Sequence, residues 1–257
     1  MKRRGMQTGL IGVLASALLI FLSPLTIWGL TADHHAPSAF SDIPASYFSQ
    51  VRLAYHIFYG HTSHGSQIVT GLQMLNAQNP TSYAVPVIQE YDWTDLGDPD
   101  WASITRGFLS SNPQTNVVMW SWCGQLSWLT ASEVDAYLAQ MSRLEQEFPG
   151  VVFVYMTGHL DGEGPLGTLY ANNERIRSYC AANHKVLFDF ADIERFDPQG
   201  TGYPYGTDRC EWCEAWCATR VCPTCEDCAH SHCFNCYQKG KAFWWMMANI
   251  VGWLPPG

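Results

Sequence analysis

Five short, strongly apolar runs recur along this chain, each separated from the next by a stretch of helical character. They are 52–59 (RLAYHIFY), 85–89 (VPVIQ), 116–122 (NVVMWSW), 151–156 (VVFVYM) and 185–190 (KVLFDF). Runs of this length, rich in β-branched and aromatic residues, read as strands buried on both faces. The stretches 66–78, 101–109, 132–148, 169–183 and 238–253 read as helices. The third of these has a clear start and stop: Thr130 or Ser132 as cap, acidic residues in its first turn, and Pro149-Gly150 behind it. Strand and helix in alternation predict one parallel sheet with helices on both sides. At 257 residues and 47% hydrophobic, the chain can bury such a core.

The first 32 residues stand apart. Lys2, Arg3 and Arg4 precede an uncharged apolar stretch over 10–30, broken only by Pro24. This reads as a signal peptide, with a cleavage site at Leu30-Thr31-Ala32, or as an N-terminal membrane anchor long enough to span a bilayer. Residues 33–44 then read as a linker and 45–257 as the α/β domain. The chain is expected to be secreted, periplasmic, or anchored on the outer side of a membrane, touching the bilayer only through its N-terminal segment. A net charge of −9 excludes a nucleic-acid groove.

Export bears on the ten cysteines. Eight crowd into the loop 208–236: Cys210, Cys213, Cys217, Cys222, Cys225, Cys228, Cys233 and Cys236. Their C-x-x-C spacings suit either zinc or disulfides. An oxidising compartment favours disulfides, and the pairing is not readable from spacing. Cys123 and Cys180 are each a buried thiol, or pair with one another.

In open parallel sheets ligands bind beyond the carboxyl ends of the strands. That rim gathers His61, Ser63, His64, Asp92, Asp95, Gly97, Cys123, Gln125, His159 and Asp161, and the last loop adds Asp227, His230 and His232. The first strand runs into Gly60-His61-Thr62-Ser63-His64-Gly65 and then a helix from about Ser66. A hydroxyl on a tight strand-to-helix turn can be a nucleophile, and Ser63 or Thr62 can equally be only a helix cap. Asp227-Cys228-Ala229-His230 places a carboxylate three residues ahead of an imidazole, a spacing that can fix its tautomer.

The order Ser63…Asp227-x-x-His230 resembles the SGNH/GDSL hydrolase superfamily, in a divergent branch with an H-x-S-x-G first block. The resemblance covers roughly 50–253. It implies a three-layer, five-stranded parallel sheet, flavodoxin-like and SGNH-hydrolase-like, with the cysteine-rich loop as an insertion. It also implies an esterase: Ser63 as nucleophile, His230 as base with His232 as its possible replacement, and Asp227 orienting. The Ser63 or His64 N–H, the Gly97 N–H and the Gln125 amide would hold the oxyanion, with His159 and Asp161 beside the substrate. Two blocks depart from the family's pattern. Gly60-His61-Thr62-Ser63 is one residue longer than Gly-Asp-Ser, and Trp122-Cys123-Gly124-Gln125 stands where Gly-x-Asn-Asp is usual.

The expected substrate is a small-molecule or carbohydrate ester, such as an O-acyl group on a sugar, without a cofactor. Two other classes are open. His61, His64, His159, Asp161, His230 and His232 could hold a metal, making a metal-dependent hydrolase or metal-binding protein, and zinc could sit there or in the cysteine-rich loop. A glycan-binding protein without catalysis would use Trp93, Trp101, Trp120, Trp122 and Trp128 as a platform. The remaining polar groups have plainer readings: His56 on the first strand, His184 at a surface turn, His34 and His35 in the linker. Asp189, Asp192 and Glu194 would lie on the surface or anchor loops.

Overall fold

The computed structural model describes residues 29–255. The expected leader therefore lies outside the described residues as far as residue 28. Among the described residues, no helix is long and apolar enough to cross a membrane.

Six strands form a single all-parallel sheet: β1 (Thr31–Ala32), β2 (His56–Gly60), β3 (Val87–Tyr91), β4 (Val117–Trp120), β5 (Val152–Met156) and β6 (Val186–Phe188). Their order is β1-β6-β5-β4-β2-β3. From β2 onward this is the flavodoxin-like order, with the reversal of winding between β2 and β4. Among the described residues, eight α-helices accompany the sheet: α1 (Ala45–Ala54), α2 (Ser63–Gln78), α3 (Trp101–Ser111), α4 (Ala131–Glu147), α5 (Thr168–Ala182), α6 (Phe190–Arg195), α7 (Glu211–Cys217) and α8 (Cys233–Ile250).

The period of two along each strand sorts the core into two layers. Ile57, Tyr59, Val117, Met119, Val154, Met156, Val186 and Phe188 pack towards residues of α1, α2 and α8. Phe58, Val118, Trp120, Phe153, Tyr155 and Leu187 pack towards α3, α4 and α5. Fully burying one such side chain stabilises by about 1.5–3 kcal/mol, so the central strands anchor the domain. Helix α4 carries a full capping box: Thr130 Oγ1 accepts from the Glu133 N–H, and the Glu133 carboxylate accepts from the Thr130 N–H.

Three expectations change. The first strand is shorter than 52–59, because 52–54 close α1; Leu53 is 84% exposed while Phe48 and Val51, three apart, face the core. The helical period wins there over mere apolarity. The sheet has six strands rather than five, since Thr31–Ala32 adds to the free edge of β6. Residues 33–44 are no loose linker: Ala36, Phe40 and Ile43 are buried, and the Phe40 ring meets Phe48 and Tyr83.

The cysteine-rich loop contains four disulfides, Cys210–Cys213, Cys217–Cys222, Cys225–Cys233 and Cys228–Cys236. Paired in this way, the eight sulfurs leave no thiolate in the loop for zinc. Cys123 and Cys180 are free and unpaired with each other.

Helices α2 and α8 touch backbone to backbone. A Cβ on Gly71 would lie 1.9 Å from the Cys236 carbonyl oxygen. Beside this contact Lys239 is wholly buried, bonded to the Gln67 side-chain oxygen and, at 2.6 Å, to Glu194. Burial pushes its ammonium down, and the Glu194 carboxylate opposes that shift. The other Glu194 oxygen accepts from the Leu160 N–H at 2.7 Å, and Gln67 donates to the Ala229 carbonyl at 2.6 Å. One buried network thus fixes the two loops that carry His159 and His230.

Candidate active site

The carboxyl ends of β2 and β4 lie side by side at the reversal of winding. β2 ends at Gly60, whose missing Cβ admits the Trp120 ring; a side-chain carbon there would sit 2.2 Å from it. The chain then turns through His61 and Thr62 into α2. Thr62 occupies the N-cap position without bonding the helix N–H groups. Its hydroxyl instead donates to Asp95 at 2.5 Å. The first turn of α2 therefore presents its N–H groups, with their partial positive charge, to the rim.

Asp95, buried to 6% exposure, organises the neighbouring loops. It accepts from Thr62, from the Gly97 N–H at 2.8 Å and from the Gln125 amide at 3.0 Å. The Gln125 oxygen in turn accepts from the Cys123 N–H at 3.0 Å. Gly97 and Gln125 are in contact, and a Cβ on Gly97 would meet the Gln125 amide at 2.3 Å. Both spend hydrogen-bonding capacity on holding the loop after β4, and so hold Cys123.

Cys123 faces α2. Its Sγ lies 3.2 Å from His64 Nδ1 and 3.8 Å from the Ser63 hydroxyl. The other His64 nitrogen, Nε2, lies 3.0 Å from Asp208 Oδ2. With the carboxylate accepting from Nε2–H, Nδ1 is left to accept the thiol proton. The His64 ring stacks on His159 (centroids 3.9 Å apart, planes within 5°) and on His230 (4.6 Å, 23°). Burial and then the neighbouring His159 push the His64 imidazole down to about 4, against the pull of Asp208. His64 is thus neutral across the ordinary pH range.

The residues singled out from sequence divide sharply. Ser63 opens α2, and its hydroxyl bonds neither His230 nor His232. Asp227 and His230 are both exposed, and no hydrogen bond joins them. Their spacing would need a helical turn, whereas 227–230 sits between disulfide-tied cysteines and His230 adopts a left-handed backbone (φ 63°). His232 caps α8, its Nδ1 accepting from the Phe234 N–H at 3.0 Å. His61 turns away to Glu90 at 3.1 Å and to the Thr62 carbonyl. Asp161 accepts from the Ser127 hydroxyl at 2.8 Å and from the Glu163 N–H. Of the six groups considered for a metal, His64, His159 and His230 come together. Ligand atoms of His64, His159 and Asp208 lie within 4.8 Å of one another.

Two residues of this arrangement were not legible as such. Nothing local marks Asp208, which enters from the loop ahead of Cys210. Cys123 carried one usable signal, its place just past the apolar run of β4. Beside it opens a groove of about 500 Å³ lined by Gly97, Trp101, Trp122, Gln125, Trp128 and Tyr137, among others. The Trp128 side chain is 67% exposed and Trp93 is 83% exposed. No family model and no curated protein matches this sequence.

Proposed function

We propose that this chain is an exported hydrolase that cleaves an ester through a thiol nucleophile, with Cys123 as nucleophile, His64 as base and Asp208 orienting His64. The observation that carries this reading is the contact chain Cys123 Sγ to His64 Nδ1 at 3.2 Å and His64 Nε2 to Asp208 at 3.0 Å. It lies where an open parallel sheet places its ligands. The sulfur attacks the ester carbonyl while its proton passes to His64 Nδ1. The Ser63 hydroxyl and the first N–H groups of α2 bind the oxyanion. His64 then returns the proton to the departing alkoxide, leaving a thioester on Cys123. Water, deprotonated by His64, adds to that thioester; its collapse releases the acid and restores the thiol. Trp128, exposed on the groove, suits a sugar ring next to the acyl group, whereas Trp101, Trp120 and Trp122 are buried in the core and form no platform. The four disulfides suit an oxidising compartment outside the cytosol.

The SGNH-like reading, with Ser63 as nucleophile, keeps one supporting observation: Ser63 stands at the start of α2, 3.8 Å from Cys123. A metal shared by His64 and His159 is less favoured. Their planes are parallel, so the in-plane lone pairs of the two rings do not converge on one ion.

Turnover of a small acetyl ester separates these readings. The thiol mechanism predicts loss of activity in Cys123→Ala and after iodoacetamide, insensitivity to chelator, and a loss in Ser63→Ala of about 10²–10³-fold, as for one oxyanion donor. Full activity in Cys123→Ala with none in Ser63→Ala overturns it in favour of the serine. Chelator-sensitive turnover favours a metal. No turnover with retained glycan binding favours a binding protein.

A further inference from the structure

We infer that Asp33, His34 and His35, at the carboxyl end of the edge strand β1, form a site for one divalent transition-metal ion of the zinc class. The site is separate from Cys123 and does not depend on the hydrolase reading. One ligand atom from each of the three residues lies within 4.8 Å of the other two.

Each donor is prepared by a neighbour. The His34 Nδ1 lies 2.5 Å from Asp192 Oδ2, and the His34 backbone N–H donates to the same oxygen at 3.0 Å. The ring also stacks on Phe196, centroids 4.0 Å apart. A carboxylate on one ring nitrogen is the support that metal-binding histidines use: it fixes the proton there and turns the other lone pair outward. Asp33 Oδ1 accepts from the His35 N–H at 2.9 Å, leaving Oδ2 free. The His34 and His35 planes are inclined at 40°.

Two imidazoles and a carboxylate suit zinc and its neighbours rather than calcium or magnesium, which take oxygen donors. Three protein ligands leave a coordination position for water, and His35 is exposed to solvent. A bound ion would tie the segment after β1 to α6 through Asp192.

The test is calorimetric titration of zinc chloride into the metal-free full chain, with His35→Ala, Asp33→Asn and His64→Ala alongside. The expected result is one zinc ion per chain, bound at least tenfold more weakly in His35→Ala and Asp33→Asn and unchanged in His64→Ala. A zinc-induced rise in Tm should likewise vanish in His35→Ala. No zinc binding overturns the proposal. So does binding that survives in His35→Ala, or binding that is lost in His64→Ala, which would place the ion at the other cluster. His35 is exposed, so its replacement leaves the core intact.

Discussion

His64 is held by four groups at once: a thiol and a carboxylate in its plane, and an imidazole over each face. Its lowered affinity for protons has two consequences. Catalysis that needs the neutral ring should keep its acid limb near pH 4 rather than near 6.5, and a pH–rate profile of kcat/KM reads this directly. Stability responds as well. The unfolded chain binds this proton below about 6.5, the folded chain only below about 4. The folded state therefore loses stability as the pH falls between those values, by at most about 3 kcal/mol from this group. Denaturant melts at pH 7 and pH 4.5 should show a smaller loss in His64→Gln than in the unaltered chain. The sequence placed His64, Gly97, Gln125 and Cys123 on one rim, and the structure brings them together there, because strand ends are legible. It did not identify Asp208, which arrives through a long loop, and the Asp227-x-x-His230 spacing suggested a pair that the disulfides hold open.

At the scale of elements, the seam between α2 and α8 is the tightest contact and the most exposed to substitution. Gly71→Ala would drive a methyl against the Cys236 carbonyl, a backbone atom that cannot turn aside. The expected cost is about 1–3 kcal/mol or more, read as a drop in denaturation midpoint. Leu53→Ala, on the exposed face of α1, should change it little. Lys239→Met should be harsher, because it leaves Glu194 buried without its cation; such losses run to about 3–5 kcal/mol. That variant should also lower activity by loosening the loops of His159 and His230. Five of the six strands were visible as apolar runs. For β2, β4, β5 and β6 burial on both faces leaves a continuous hydrophobic signature, whereas β3, at the sheet edge, is largely exposed, with Val87 at 53%. β1 was not, because two residues at a sheet edge carry no period, and the apolar stretch before them reads as a leader.

Across the whole molecule, a parallel sheet sets Cys123 and His64 on adjacent strand ends, and a disulfide-braced loop supplies the last wall. Removing Cys228–Cys236 by a double serine substitution should cost about 2–3 kcal/mol from the freed loop of eight residues. It should also move His230 off His64, since the bridge ties the segment carrying His230 to α8. The identity of the nucleophile is the claim on which the rest turns. Mass spectrometry of the acyl-enzyme, trapped by acid quench during turnover of an acetyl ester and digested to peptides, tests it most directly. The account predicts the acetyl group on the peptide containing Cys123, released by hydroxylamine under mild conditions as a thioester. An adduct on Ser63, with Cys123 unmodified, would contradict it.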